Sequence, residues 1–118
     1  MLPGKRAVRV GDLILKEIAF LLLEKVKDPR VKGVTLTGIN LTDDLKSAKI
    51  YFSAMGGPDE IKRAGSGLES AGKFIKREIG RSMQLRYVPH LEFAHDTSLA
   101  DGSHMEKLFE RLRETDKF

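Results

Sequence analysis

Apolar residues recur at Val10, Leu13, Ile14, Ile18, Leu21, Leu22 and Val26. Their steps of three and four predict an amphipathic helix over residues 7–26, after a loose arm at 1–6. Gly11 is a mild cost inside that helix. Asp28-Pro29-Arg30 ends it, because the residue before a proline is pushed out of helical geometry. From Gly33 the pattern changes. Val34-Thr35-Leu36-Thr37-Gly38-Ile39-Asn40-Leu41 is rich in β-branched residues but alternates poorly. A second strand alternates cleanly, with Ala48, Ile50, Phe52 and Ala54 on one face and Lys49, Tyr51 and Ser53 on the other. Thr42-Asp43-Asp44 supplies turn residues between them, so the two should pair as an antiparallel hairpin.

Met55-Gly56-Gly57-Pro58 reads as a loop, with Pro58 suited to a first helical turn and Asp59 and Glu60 favouring its positive end. The helix that starts there meets Gly65-Ser66-Gly67, where two glycines weaken or bend it. A further helical segment covers about 68–83. On it Leu68, Ala71, Gly72, Ile75, Ile79 and Met83 share one side, and Lys73, Lys76, Arg77 and Arg81 the other. The chain then turns through Arg86-Tyr87-Val88-Pro89 into a short strand, Leu91-Glu92-Phe93. A loop from Thr97 to Gly102 follows, and Met105, Leu108, Phe109 and Leu112 mark a short amphipathic helix or tail. The order helix, strand, strand, bent helix pair, strand, tail predicts an α+β sandwich of two layers: a three-stranded sheet with its helices on one face.

Composition narrows the class. At 118 residues, 41% apolar and 32% charged, the chain suits one domain with a modest core. It has no cysteine, so disulfides and thiolate metal sites are excluded. Its longest apolar run, 18–23, is far short of the roughly 20 residues that span a bilayer. Lys5, Arg6 and Arg9 give the N-terminus a faint likeness to a signal peptide. Asp12, Lys16 and Glu17 interrupt the would-be apolar region and no cleavage site follows, so a cytoplasmic protein is expected. A pI near 9.4 favours an acidic partner, nucleic acid being the commonest. The charge is concentrated. Between Lys73 and Arg86 stand five basic residues and one acid, Glu78, an excess equal to the net charge of +4. Arg6, Arg9 and Lys16 add basic character to the first helix. A stripe of this kind neutralises phosphates and releases counterions, so affinity should fall steeply with salt.

Catalytic readings fare worse. Gly67-Leu68-Glu69-Ser70-Ala71-Gly72-Lys73-Phe74 nearly matches a nucleotide-hydrolase phosphate loop. Phe74 stands where a magnesium-ligating hydroxyl belongs, and no buried strand leads into the motif. His90 and His95 are five apart along one strand and point to opposite faces, and His104 is in a later loop, so no metal site is expected. His95-Asp96-Thr97-Ser98 holds the ingredients of a hydrolase triad, but neighbours in sequence rarely converge in that geometry. Asp96 and Ser98 are better suited to shaping the turn out of the strand. A non-enzymatic protein without cofactor is expected.

Arg86-Tyr87-Val88-Pro89-His90-Leu91-Glu92-Phe93-Ala94-His95-Asp96-Thr97-Ser98 resembles the signature of the ribosome-binding factor A family: arginine, a spaced proline, leucine and phenylalanine, then aspartate-x-serine. Asp28-Pro29-Arg30, with Arg6 and Arg9 before it, matches the family's other marks, and the likeness runs in order from about Arg6 to Leu112. It implies a single KH-like domain of the second topological type, helix-strand-strand-helix-kink-helix-strand, with an arm at 1–6 and a tail from about 101 to 118. The kink, alanine-x-glycine in the family, falls on Ala71-Gly72-Lys73, where Lys73 replaces the final glycine. The resemblance further implies a bacterial assembly factor. It would bind the free small ribosomal subunit late in maturation, support processing of its ribosomal RNA, notably in the cold, and be released by an assembly GTPase. It would act as a monomer without membrane contact. Contacts to RNA would come from Arg6, Arg9, Lys73, Lys76, Arg77, Arg81 and Arg86. Arg86 has a second reading, as an anchor of the turn into the strand. Two other classes fit the same basic stripe: a generic single-stranded RNA-binding module, and a protein-interaction domain that docks an acidic partner.

Overall fold

The computed structural model describes residues 5–99. Helix α1, Lys5–Glu24, starts within what the sequence suggests is an arm and ends two residues before the predicted boundary. Ala7, Gly11, Ile14, Ile18 and Leu21 are buried along it. Leu13, expected on the apolar stripe, is half exposed, because at about 100° per residue it falls well outside the arc centred on Ile14 and Ile18. Gly11 faces the sheet, where a Cβ would sit 3.4 Å from Ile39 Cγ2, in ordinary van der Waals contact.

After α1 a single 3-10 turn, Pro29–Val31, is capped by Asp28, whose Oδ1 accepts the Arg30 N–H at 2.9 Å. The Arg30 guanidinium closes back on the same carboxylate, with Nη2 donating to Oδ2 at 2.7 Å and Nε at 3.0 Å. The hairpin follows as predicted. Strand β1 is Thr35–Leu41 and β2 is Ser47–Ser53, antiparallel. The poor alternation of β1 has a cause: the register shifts between Leu36 and Gly38, leaving Thr37 as an extra residue in a bulge. Leu36, Ile39 and Leu41 therefore face the same side as Phe52, Ile50 and Ala48, their partners on β2.

Pro58–Ser82 is one helix, α2, of 25 residues. The sequence suggests a bent pair broken near Gly65-Ser66-Gly67, but helical bonding runs through both glycines and on through Ala71-Gly72-Lys73. Ala64, Gly67, Leu68, Ile75 and Ile79 are buried on one continuous face that spans the glycines, so tertiary packing outweighs their low helix propensity. Gly67 serves a close approach instead. A Cβ there would lie 2.9 Å from Arg30 Cβ and 3.0 Å from Val31 Cγ1. The residues of the near-miss phosphate loop all lie inside α2, where helical bonding occupies the backbone N–H groups a phosphate would need.

Strand β3, His90–His95, is longer than Leu91-Glu92-Phe93 and pairs in parallel with β2, which is therefore the central strand. Both helices cover one face of this sheet. Ile14, Ile18 and Leu21 of α1 join Ile75 and Ile79 of α2, Leu41, Ala48 and Ile50 in one cluster. Val31, Phe52, Ala64 and Leu68 form a second cluster at the end where β1 begins. The predicted tail helix and His104 lie outside the described residues. Among the described residues no helix is long and apolar enough to cross a membrane.

Candidate nucleic-acid interface

The packing of α2 fixes what its other side presents. Leu68, Ile75 and Ile79 are 0% exposed. Lys73, Lys76, Arg77 and Arg81, on the opposite side, are all in solvent. At about 100° per residue these four cations cover an arc of roughly 140°, from Lys76 through Lys73 and Arg77 to Arg81. Arg81 reaches Glu78 at 3.8 Å with its side chain 74% exposed, a surface pair that leaves most of its charge available. Arg77 lies over the ring of Phe74, guanidinium carbon to ring centre 5.7 Å. Lys73 and Lys76 make no ion pair among the described residues.

Arg86 follows the end of α2. Met83 caps the helix through its N–H to Ile79 O, and Gln84 turns the chain with φ 52°. The turn is held by Pro89, which is buried, and by Val88, which closes on Gly80. Arg86 is exposed and lies 5.5 Å from the ring centre of Tyr87, itself 76% exposed. Among the described residues Arg86 makes no ion pair, and its guanidinium stands beside an exposed aromatic ring.

Arg6 and Arg9 occupy the first two turns of α1 and are exposed. The two helices run in opposite directions between the ends of the sheet. Gly11 abuts Ile39 and Leu41 near the end of β1, while Ala64 and Leu68 of α2 lie with Phe52 at the opposite end. Arg6 and Arg9 are thereby carried toward the end of the sheet that also holds Arg81 and Arg86. Ala71, Gly72 and Lys73 lie mid-helix, and a Cβ on Gly72 would meet no atom within 4 Å.

The motif after β3 does structural work, as its sequence suggests. Ser98 donates through N–H and Oγ to Asp96 Oδ1, at 3.0 and 2.6 Å, and Thr37 Oγ1 donates to Oδ2 at 2.8 Å. Hydrogen bonds from the Ser98 and Thr37 hydroxyls hold the Asp96 carboxyl below its ordinary range. His95 packs edge-on against Phe52, ring centres 5.8 Å apart. Ser98 thus bonds Asp96 directly while His95 packs on Phe52, an arrangement in which the histidine does not stand between the other two. Among the described residues no group of three or more metal-ligating side chains comes together.

The ribosome-binding factor A family model matches residues 6–109. The chain belongs to that family. It is 44% identical over 112 residues to ribosome-binding factor A of Syntrophus aciditrophicus, covering 95% of this chain and 91% of the relative. A candidate ribosome binding factor A of Thermotoga maritima, solved in solution, matches with a TM-score of 0.69 at 29% identity over 80% of this chain and 90% of that one. Coordinates for the Thermus thermophilus ribosome binding factor A, fitted into a cryo-EM map of its 30S complex, match with a TM-score of 0.64 at 20% identity. They cover 77% of this chain and 96% of that one. The family's α+β architecture, KH-like in its order of elements, agrees with the three-stranded sheet and its one-sided helices.

Three exposed residues near the basic face escape sequence reasoning: Lys25, Lys27 and Tyr87. A lysine pair straddling a helix end just before Asp-Pro is a legible signal for the first two. Tyr87 is hidden by its setting, since an aromatic beside Val88 and Pro89 reads as core.

Proposed function

We propose that the chain is a non-catalytic ribosome assembly factor that binds the free small ribosomal subunit and assists late maturation and processing of its RNA. Membership of the ribosome-binding factor A family supports this, as does the 30S complex of the Thermus thermophilus relative. The observation that carries the mechanism is the two-sided α2, buried on one face and bearing Lys73, Lys76, Arg77 and Arg81 on the other. With Arg6, Arg9 and Arg86 these cations would clamp an RNA region through its phosphates, which position a protein but carry little sequence information. Selectivity would come from RNA shape and from unpaired segments. The protein acts in the bacterial cytoplasm as a monomer, in support of growth in the cold, and an assembly GTPase releases it.

Sedimentation with free small subunits, whole ribosomes and naked small-subunit RNA across a salt series tests this reading. Binding to free subunits and not to whole ribosomes is expected, weakened by Lys76→Ala together with Arg77→Ala. Equal binding to all three would reduce the protein to a generic RNA binder. Binding that survives nuclease would instead favour an acidic protein partner.

A further inference from the structure

A shallow, open cleft of about 260 Å³ lies where the segment after α1 meets the middle of α2. Lys25, Val26, Lys27 and Asp28 form one wall, and Ser70, Ala71 and Phe74 the other. Lys25 and Lys27 are exposed and make no ion pair among the described residues. Asp28, the carboxylate in the lining, is already neutralised by the Arg30 fork, so it repels an incoming anion little. Glu24, a turn of chain earlier, is exposed and leaves the lysines in excess.

The opposite wall is ordered by helical spacing. Ser70, Phe74, Arg77 and Arg81 succeed one another at steps of four, three and four, which places them along one ridge of α2. On that ridge the flat guanidinium of Arg77 lies over the Phe74 ring. Apolar floor, planar cation and two lysines across a gap make a combination suited to one ligand chemistry. Unpaired bases stack on aromatic rings and guanidinium planes, while their phosphates seek lysine. We propose that this cleft holds one unpaired RNA nucleotide, its base packed on Phe74 with the Arg77 guanidinium at the rim, and its phosphates on Lys25 and Lys27. The proposal rests on the RNA-binding reading above and adds a second wall to it.

The test measures binding of naked small-subunit RNA to the full chain across a salt series. Lys25→Ala with Lys27→Ala should weaken binding about tenfold and flatten the log-affinity against log-salt slope by about 1 to 1.5, as two lost single-strand phosphate contacts require. Lys46→Ala with Lys49→Ala, an equal loss of charge on the hairpin, should have a clearly smaller effect. Arg77→Lys keeps the charge and loses the plane, so a drop of about fivefold at unchanged salt slope is expected. All five residues are exposed, and matched melting temperatures will show the variants folded. A Lys25/Lys27 variant that loses no more than the Lys46/Lys49 variant overturns the cleft. Full affinity for Arg77→Lys overturns the base packed beside the guanidinium. Loss of subunit binding with naked RNA binding intact would place a protein in the cleft and likewise overturn the proposal. Failure of the unaltered chain to bind RNA sinks the RNA reading itself, a result distinct from these.

Discussion

Gly67 lies flush against Arg30: a methyl group on the glycine would sit 2.9 Å from the Arg30 Cβ. That atom is not the yielding tip of a side chain. It belongs to a residue fixed by its fork onto Asp28 and by the 3-10 turn around it. Gly67→Ala should therefore destabilise the protein by about 1–3 kcal/mol through overpacking, despite the gain in helix propensity. Gly72, five residues along the same helix, has open space at its Cβ, and Gly72→Ala should stabilise by about 0.5–1 kcal/mol. Urea unfolding of both variants gives opposite signs if one glycine serves contact and the other does not.

Gln84 ends α2 in the left-handed region, at φ 52°. A side chain there is crowded against its own backbone, and glycine removes that cost at the position where it most often terminates helices. Gln84→Gly should raise stability by roughly 0.5–1 kcal/mol, seen as an upward shift in the denaturation midpoint with unchanged slope.

Two carboxylates should make the fold sensitive to acid. Hydrogen bonds from the Arg30 side chain lower the pKa of Asp28, and those from Ser98 and Thr37 lower that of Asp96. A depressed carboxyl contributes stability that is fully present above its unfolded value of about 4 and is lost as pH falls through its lower native value. Unfolding measured from about pH 7 down to pH 3 should show wild-type stability falling at the acid end. Asp96→Asn should be less stable at neutral pH and show a shallower acid decline. A parallel decline in variant and wild type would refute the role assigned to Asp96.

Arg6 and Arg9 have no structural task in view, being exposed on the first turns of α1. Replacing both with alanine should leave the melting temperature within about 2 °C, as for ordinary surface substitutions. Binding to free small subunits should weaken several-fold, and more at low salt than at high.

Most of the architecture was legible because its periods are clean. The i, i+3, i+4 spacing of Ile14, Ile18, Leu21 and the two-residue rhythm of Ala48, Ile50, Phe52 read straight through to burial. β1 was harder, since the bulge at Thr37 shifts the rhythm by one residue midway. The unbroken α2 was illegible for another reason. Propensity treats Gly65 and Gly67 as breaks, while only the folded contact shows that Arg30 and Val31 occupy the space a side chain at 67 would need. The basic stripe was visible from charge and spacing. Lys25 and Lys27 were legible as a basic pair but not as part of a cleft, because what brings them opposite Phe74 is the packing of the segment after α1 on α2, across nearly fifty residues.

The parallel pairing of β2 with β3 also dictates how the chain can assemble. β1 and β2 are neighbours in sequence and can zip at once, but β3 cannot join until α2 and the turn after it have been laid down. Loop closure over that distance costs more entropy than zipping the hairpin, so pairing of β1 with β2 is expected to precede docking of β3. Until β3 arrives, one edge of β2 carries unpaired N–H and C=O groups between the side chains of Ile50 and Phe52, the kind of edge that recruits other chains. Aggregation during refolding should therefore track concentration and fall once β3 has docked and shielded the central strand. A chain truncated before His90 should never escape it.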